Sequence, residues 1–261
     1  MSGLSPEPTD MCLLLIAYKT HSKFDVIIAS NRDEARSRQS LCASFWADAP
    51  NVLGGKDVLR GGSWLAVAKD GRFAAVTNIY KPNKISGNSR GLLVRDFLLS
   101  DSSPAEYADS LVTRIRHFPP FNLLVGNRSE LFYLSNQPAI FQRLTPGIYG
   151  FTNDLLGSSW PKVRRGTRSL AKITERSKTV RTHDLFSILS TRVKSTNDGE
   201  NEWRQELIFV PFTNFGTRSS TAILIDHQGW VTFAERIFNS DSKAMNETEF
   251  RFMITRKKLV H

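Results

Sequence analysis

The residues best equipped for chemistry stand at the mouth of an apolar run. In TDMCLLLIAY, residues 9–18, Cys12 follows an internal methionine, Met11, and opens an unbroken apolar segment. A second apolar run leads into the tetrapeptide NRDE, which is Asn31, Arg32, Asp33 and Glu34. An arginine beside a thiol favours the thiolate, the nucleophilic form, and an aspartate can hold that arginine or a nearby amine in place. If translation began at Met11 and that methionine were removed, Cys12 would carry its own α-amine. With a pKa of about 7.7–8.0, such an amine is a competent base for the thiol on the same residue. Residues 1–11 would then be a removable leader or a mis-assigned start. The same residues also fit a core cysteine beside a surface turn, because unbridged cysteine is among the most buried residue types.

Bringing Cys12 to NRDE requires the two apolar runs to pair. The short polar KTHSK between them reads as a hairpin connection. A turn centred near His21 sets Cys12 opposite Ser30 and Asn31, with NRDE emerging from the strand end beside the thiol. Further along, Asp70 and Gly71 between two apolar runs signal another hairpin. Ser103, Pro104 and Glu106 form a capping box that opens a helix over residues 103–118, with Tyr107, Leu111, Val112, Ile115 and Phe118 on one face. Strands are expected at FNLLVG and ELFYLS, helices at about 160–174 and 183–193, and strands again at ELIFVPF, TRSSTAILID, WVTFAERIF and TEFRFMI. STNDGENE reads as an extended loop. Gly61 and Gly62 of RGGSW lack a phosphate-loop context and suit close backbone packing. This order of strands and helices suggests an α+β protein with stacked sheets between helical layers.

The chain of 261 residues, 40% of them hydrophobic, is long enough for one large core, taken as a single domain over residues 12–261. A net charge of +10 raises the question of nucleic acid, but Lys and Arg are dispersed, without stacking aromatics or a groove-entering helix. No nucleic-acid partner is expected; the charge reads either as a solvated basic surface or as a basic cleft that attracts an anionic small molecule. Two cysteines, Cys12 and Cys42, give neither a disulfide framework nor a metal spacing, so no metal and no cofactor is expected. Cys42 reads as an ordinary thiol. The leader has no apolar centre, and no apolar run reaches the roughly 18 residues of a membrane span, so neither a signal peptide nor a transmembrane segment is expected. A reducing, cytoplasmic compartment follows as the expectation.

Taken in order, MCLLLIAY, ASNRDEARSR, LGGKDVLRGGSWLAVAKDGRFAAVTN, RGLLVRDFL, FNLLVGN, TPGIYGFTND with WPKVRRG, FGTRSSTAILID and VTFAERIF resemble the NRDE-domain proteins, also called the transport and Golgi organisation family. The resemblance covers nearly everything from Met11 onward. It implies an N-terminal-nucleophile hydrolase-like αββα sandwich, distantly similar to bile-salt hydrolases and acid ceramidases. It also implies a catalytic set of Cys12, Arg32 and Asp33, joined by Asn78 of VTN, Asn153 of FTND and Arg218 of GTRSST. Asn side chains can donate to a developing oxyanion. Arg218 heads a strand whose Thr217, Ser219 and Thr221 are expected on one polar face. Two functions are compatible with the resemblance: a thiol-dependent hydrolase of a non-peptide amide or acyl (thio)ester, or a non-catalytic carrier of an acidic hydrophobic ligand such as acyl-CoA or haem.

Overall fold

The computed structural model describes residues 12–79, 86–192, 203–211 and 213–255. The expected leader and the STNDGENE loop lie outside the described residues. In chain order the strands are β1 Leu13–Tyr18, β2 Phe24–Ala35, β3 Ser40–Trp46, β4 Ala49–Asp57, β5 Leu65–Ala68, β6 Phe73–Asn78, β7 Phe121–Gly126, β8 Leu131–Asn136, β9 Ala139–Arg143, β10 Gly147–Phe151, β11 Phe215–Asp226, β12 Trp230–Phe238 and β13 Ala244–Met253. The helices are α1 Gly91–Leu99, α2 Pro104–Leu111, α3 Pro161–Arg176, α4 Thr182–Leu189 and the short α5 Trp203–Glu206.

Two antiparallel sheets stack face to face. One has the order β10-β1-β2-β11-β12-β13, the other β3-β4-β5-β6-β7-β8-β9. The inter-sheet core takes alternate residues from the first strands, including Leu14, Ile16, Val26 and Ile28, together with Leu65, Phe73 and Tyr133 from the facing sheet. The residues between them, Leu13, Leu15, Ile27 and Ala29, face α3 and α4 with Val163, Leu170 and Phe186. The second sheet buries its outer face under α1 and α2, through Leu93, Phe97 and Leu111. Both faces of β1 and β2 are therefore covered, which is why these strands read as continuous apolar runs. The result is the expected four-layer αββα sandwich.

Several local expectations need correction. The first hairpin registers Leu13 with Asn31 and Tyr18 with Val26, two residues later than a turn centred on His21 requires. Lys19 takes a positive φ of 51° and its N–H donates to the carbonyl of Asp25 at 2.7 Å, which moves the turn centre along. His21 is buried, its Nε2 2.8 Å from the carbonyl of Ser177 beyond the end of α3. NRDE consequently does not emerge from a strand end but lies within β2. The helix expected over 103–118 stops at Leu111 and is followed by a single 3₁₀ turn, Ile115–His117; Val112 is exposed rather than on the buried face. The helix expected over 183–193 is α4, which ends at Leu189. ELIFVPF is not a strand: Leu207, Ile208, Phe209 and Val210 are buried, and Val210 makes isolated hydrogen bonds with Thr217 instead of a ladder. Gly62 has the anticipated role, since a Cβ there would stand 2.3 Å from the backbone of Gly91.

Candidate active site

Cys12 sits at the head of β1, the second strand of its sheet, between β10 and β2. Its N–H donates to Asn153 Oδ1 at 2.9 Å, and its carbonyl accepts from Thr152 Oγ1 at 3.0 Å. Both side chains come from the loop after β10. That loop is anchored to the opposite sheet. Asn153 Nδ2 donates to the carbonyl of Asn78 at the end of β6 (2.9 Å), and Thr77 Oγ1 and Asn122 Nδ2 both donate to the carbonyl of Thr152. Asn122 in turn accepts from Tyr133 Oη at 2.7 Å. Asn153, which is buried, thus ties the backbone of Cys12 in one sheet to the backbone of Asn78 in the other.

The β-strand period divides NRDE between two compartments. Asn31 and Asp33 face the helical layer. Asn31 donates to the carbonyls of Leu189 and Ile208 and accepts from Ser220 Oγ, which satisfies its amide. Asp33 accepts from Thr217 Oγ1 at 2.6 Å. Arg32 faces the other sheet. Its guanidinium lies 4.4 Å from the centre of the Trp64 ring and 3.5 Å from both Glu34 and Ser40 Oγ.

Arg218 has a different position from the one expected. Thr217 pairs with Asp33 and Ser219 with Arg32, so Arg218 is the extra residue of a β-bulge. The bulge places Thr217 on the opposite face from Ser219 and Thr221, so the three do not share one face. Arg218 Nη1 donates to the carbonyls of Ala35, Arg36 and Arg38 at 3.1, 2.9 and 3.2 Å, clamping the exit of β2. It also lines a cleft of roughly 480 Å³, its open mouth included, with Cys42, Trp64, Glu235, Ile237 and Phe238 among its neighbours. The ionisable side chains in this lining are Arg218 and Glu235.

Three ionisable groups near β2 are buried, Asp33 and Lys162 on its helical side and Glu235 in the cleft lining. Burial pushes the Asp33 carboxyl up to about 7, against the opposing influence of Lys162, the Thr217 hydrogen bond, Arg36 and Arg32. Burial pushes Lys162 down to about 8, with the Asp33 carboxylate and the Cys12 thiolate acting the other way. Glu235, also buried, rises to about 7 although it accepts from the N–H of Ala43 at 2.6 Å. Lys162 and Glu235 were not singled out from the sequence. Lys162 did carry a signal: a lysine in the first turn of a helix opposes the helix dipole and calls for a compensating reason. Among the described residues, no group of three or more His, Cys, Asp or Glu could hold a metal ion.

The chain matches the Transport and Golgi organisation 2 family over residues 11–240. It belongs to that family. The Mus musculus Transport and Golgi organization 2 homolog is 28% identical over 277 residues, covering 94% of this chain and 99% of that protein. The Homo sapiens homolog is 30% identical over 258 residues, 87% of this chain and 92% of that protein. Among solved structures, the Caenorhabditis elegans ortholog of N-acylethanolamine-hydrolyzing acid amidase superposes with a TM-score of 0.53 at 14% identity, over 82% of this chain and 92% of that one. A mutant conjugated bile acid hydrolase from Clostridium perfringens gives 0.52 at 9% identity, over 96% and 100%. At such identities the likeness is one of fold, and this Transport and Golgi organisation 2 family member has the N-terminal-nucleophile hydrolase-like fold. Among the described residues no helix is long and apolar enough to cross a membrane.

Proposed function

We propose that this protein is a thiol-dependent hydrolase of a non-peptide amide or acyl (thio)ester, acting in a cytoplasmic, reducing setting with Cys12 as nucleophile. The observation that carries the reading is the double tether of Cys12: its N and its carbonyl O are both held by buried side chains, Asn153 and Thr152, on an otherwise apolar strand. With residues 1–11 removed, the atom held by Asn153 Oδ1 becomes the α-amine. That amine accepts the proton from Sγ; the thiolate attacks the acyl carbon; the C–N, C–O or C–S bond breaks and the leaving amine, alcohol or thiol takes the proton. Water then hydrolyses the thioester, and Cys12 regains its thiol. Asp33 and Arg32 supply charge from either face of the neighbouring strand. Asn78 contributes its backbone carbonyl to the tether, and Arg218 lines the cleft with Trp64 and Glu235.

A second reading is a carrier of an acidic hydrophobic ligand such as acyl-CoA or haem. It is favoured by the relatives, whose names refer to transport and Golgi organisation, and by the cleft, where Trp64, Ile237 and Phe238 adjoin Arg218. The intact mass of natively expressed protein separates the two. The hydrolase reading expects a chain starting at Cys12 that turns over acyl-amide or thioester probes and loses turnover, with binding kept, in Cys12→Ala. A chain that retains residues 1–11, shows no hydrolysis on those probes and binds equally well as Cys12→Ala overturns it in favour of the carrier.

A further inference from the structure

Behind the tethered cysteine lies a pair of opposed charges whose bonding is incomplete. Lys162 has no exposed surface, and its Nζ has no hydrogen-bond partner among the described residues. Asp33 is similarly buried; Thr217 occupies its Oδ1, while Oδ2 has no hydrogen-bond partner among the described residues. No ion pair within 4.0 Å joins them among the described residues. Burying an ammonium without a hydrogen bond is unfavourable, and a helix N-terminus opposes the same charge, so Lys162 bears a double disadvantage.

The packing shows where this charge sits. Gly166 lies one helical turn after Lys162 and seats against Leu15; a Cβ there would stand 2.9 Å from the Leu15 side chain. Val163 belongs to the cluster that contains Leu13 and Leu15. The first turn of α3 is thereby held over the head of β1, where Cys12 stands and where Asp33 lies on the neighbouring strand. Trp160 packs beside Lys162, its ring centre 5.5 Å from Nζ, within reach of a cation–π contact that compensates part of the missing hydrogen bonding.

We propose that Lys162 is a positioning residue for the Cys12 thiol: its buried ammonium, countered by Asp33, stabilises the thiolate across the head of β1. This inference rests on reading Cys12 as the reactive thiol. The ammonium acts whether or not residues 1–11 are present, so it gives the thiol a source of activation separate from the α-amine. Among the described residues, other cations at this end of β2 include Arg32, Arg36, Arg218 and Arg38, the last paired with Glu34, and the anions include Asp33, Glu34 and Glu235.

The test follows iodoacetamide alkylation of Cys12 against pH in a Cys42→Ser background, where Cys12 is the only cysteine. Lys162→Met is expected to raise the apparent pKa of alkylation by about one unit, a roughly tenfold loss of rate at neutral pH. Lys162→Arg is expected to hold the profile near that of the parent. The double variant Asp33→Asn/Lys162→Met removes both charges and keeps the interior neutral should the single variant fail to fold; its neutral-pH rate is expected to fall as well. Superimposable profiles for parent, Lys162→Met and the double variant would overturn the inference and leave Lys162 a structural residue. A shifted profile in a protein without hydrolytic turnover would support the role of Lys162 and overturn the hydrolase reading, so the two fail separately.

Discussion

Replacing Asn153 with alanine tests whether the two sheets are tied at Cys12 as described. The substitution removes the acceptor for the N–H of Cys12 and the donor for the carbonyl of Asn78, each at 2.9 Å. An unsatisfied buried polar group costs about 1–3 kcal/mol. Cys12 is half-buried, so water can partly replace its lost bond, while Asn153 itself is 2% exposed and its site offers little water to the Asn78 carbonyl. A loss of about 3 kcal/mol is therefore expected for the two groups together. For a chain of this size that corresponds to a fall in Tm of roughly 6–12 °C. Thermal unfolding followed by circular dichroism measures it directly. Asn153→Asp adds an internal control: it keeps an acceptor for Cys12, but its carboxylate repels the Asn78 carbonyl until acid protonates it, so its deficit should shrink at low pH. A Tm of Asn153→Ala within about 1 °C of the parent would refute the tether.

Other outcomes follow from the same geometry. Asp33 is raised to about 7 and Lys162 lowered to about 8 in the folded protein, against unfolded values of about 3.9 and 10.4. The folded state thus holds more protons between about pH 4 and 7, where stability should fall as pH rises; the unfolded state holds more between about 8 and 10.4, where it should recover. Glu235 adds to the fall on the acid side. Urea unfolding across pH should show the trough, and Asp33→Asn/Lys162→Met should make it shallower. Arg218→Met should cost about 2 kcal/mol in urea unfolding by taking a donor from three carbonyls, of which Ala35 still accepts from the N–H of Arg38, with hydrogen exchange accelerated at residues 35–38. Gly166→Val forces a side chain into Leu15 and should destabilise by about 1–3 kcal/mol in the same assay, lifting the first turn of α3 from β1.

The sandwich was legible because its strands are covered on both faces and its hairpins carry polar turns. β1 and β2 could be paired from the KTHSK turn, but not in their true register. That register depends on Lys19 in a left-handed conformation and on His21 docking against Ser177, a contact 156 residues away that no local pattern reveals. The same limit applies to helix ends: the periodicity of residues 103–118 continues past Leu111, but the chain must turn there to enter β7. Cys12, Arg32 and Asp33 were readable as a group from residue chemistry and spacing. Asn78, Asn153 and Arg218 rested on resemblance, and their bonding depends on sheet-to-sheet contacts and on a bulge. Asn122 was hidden inside an apolar strand, whereas the signal of Lys162, its place in the first turn of α3, was masked by the other basic residues of that helix.

The division of NRDE across β2 gives the motif a phase as well as a composition. Four neighbours in the chain are two interleaved pairs in space, Asn31 with Asp33 and Arg32 with Glu34, and only the parity of the strand keeps each pair in its own compartment. A single residue inserted between the first hairpin and Asn31 would preserve every letter of the motif, yet turn Arg32 toward the helices and Asp33 toward Trp64. Changes of two residues would restore the sides while displacing both pairs by about 7 Å along the strand. Length variation in this stretch is thereby restricted by geometry alone, and a sequence that merely contains the four letters need not carry their arrangement.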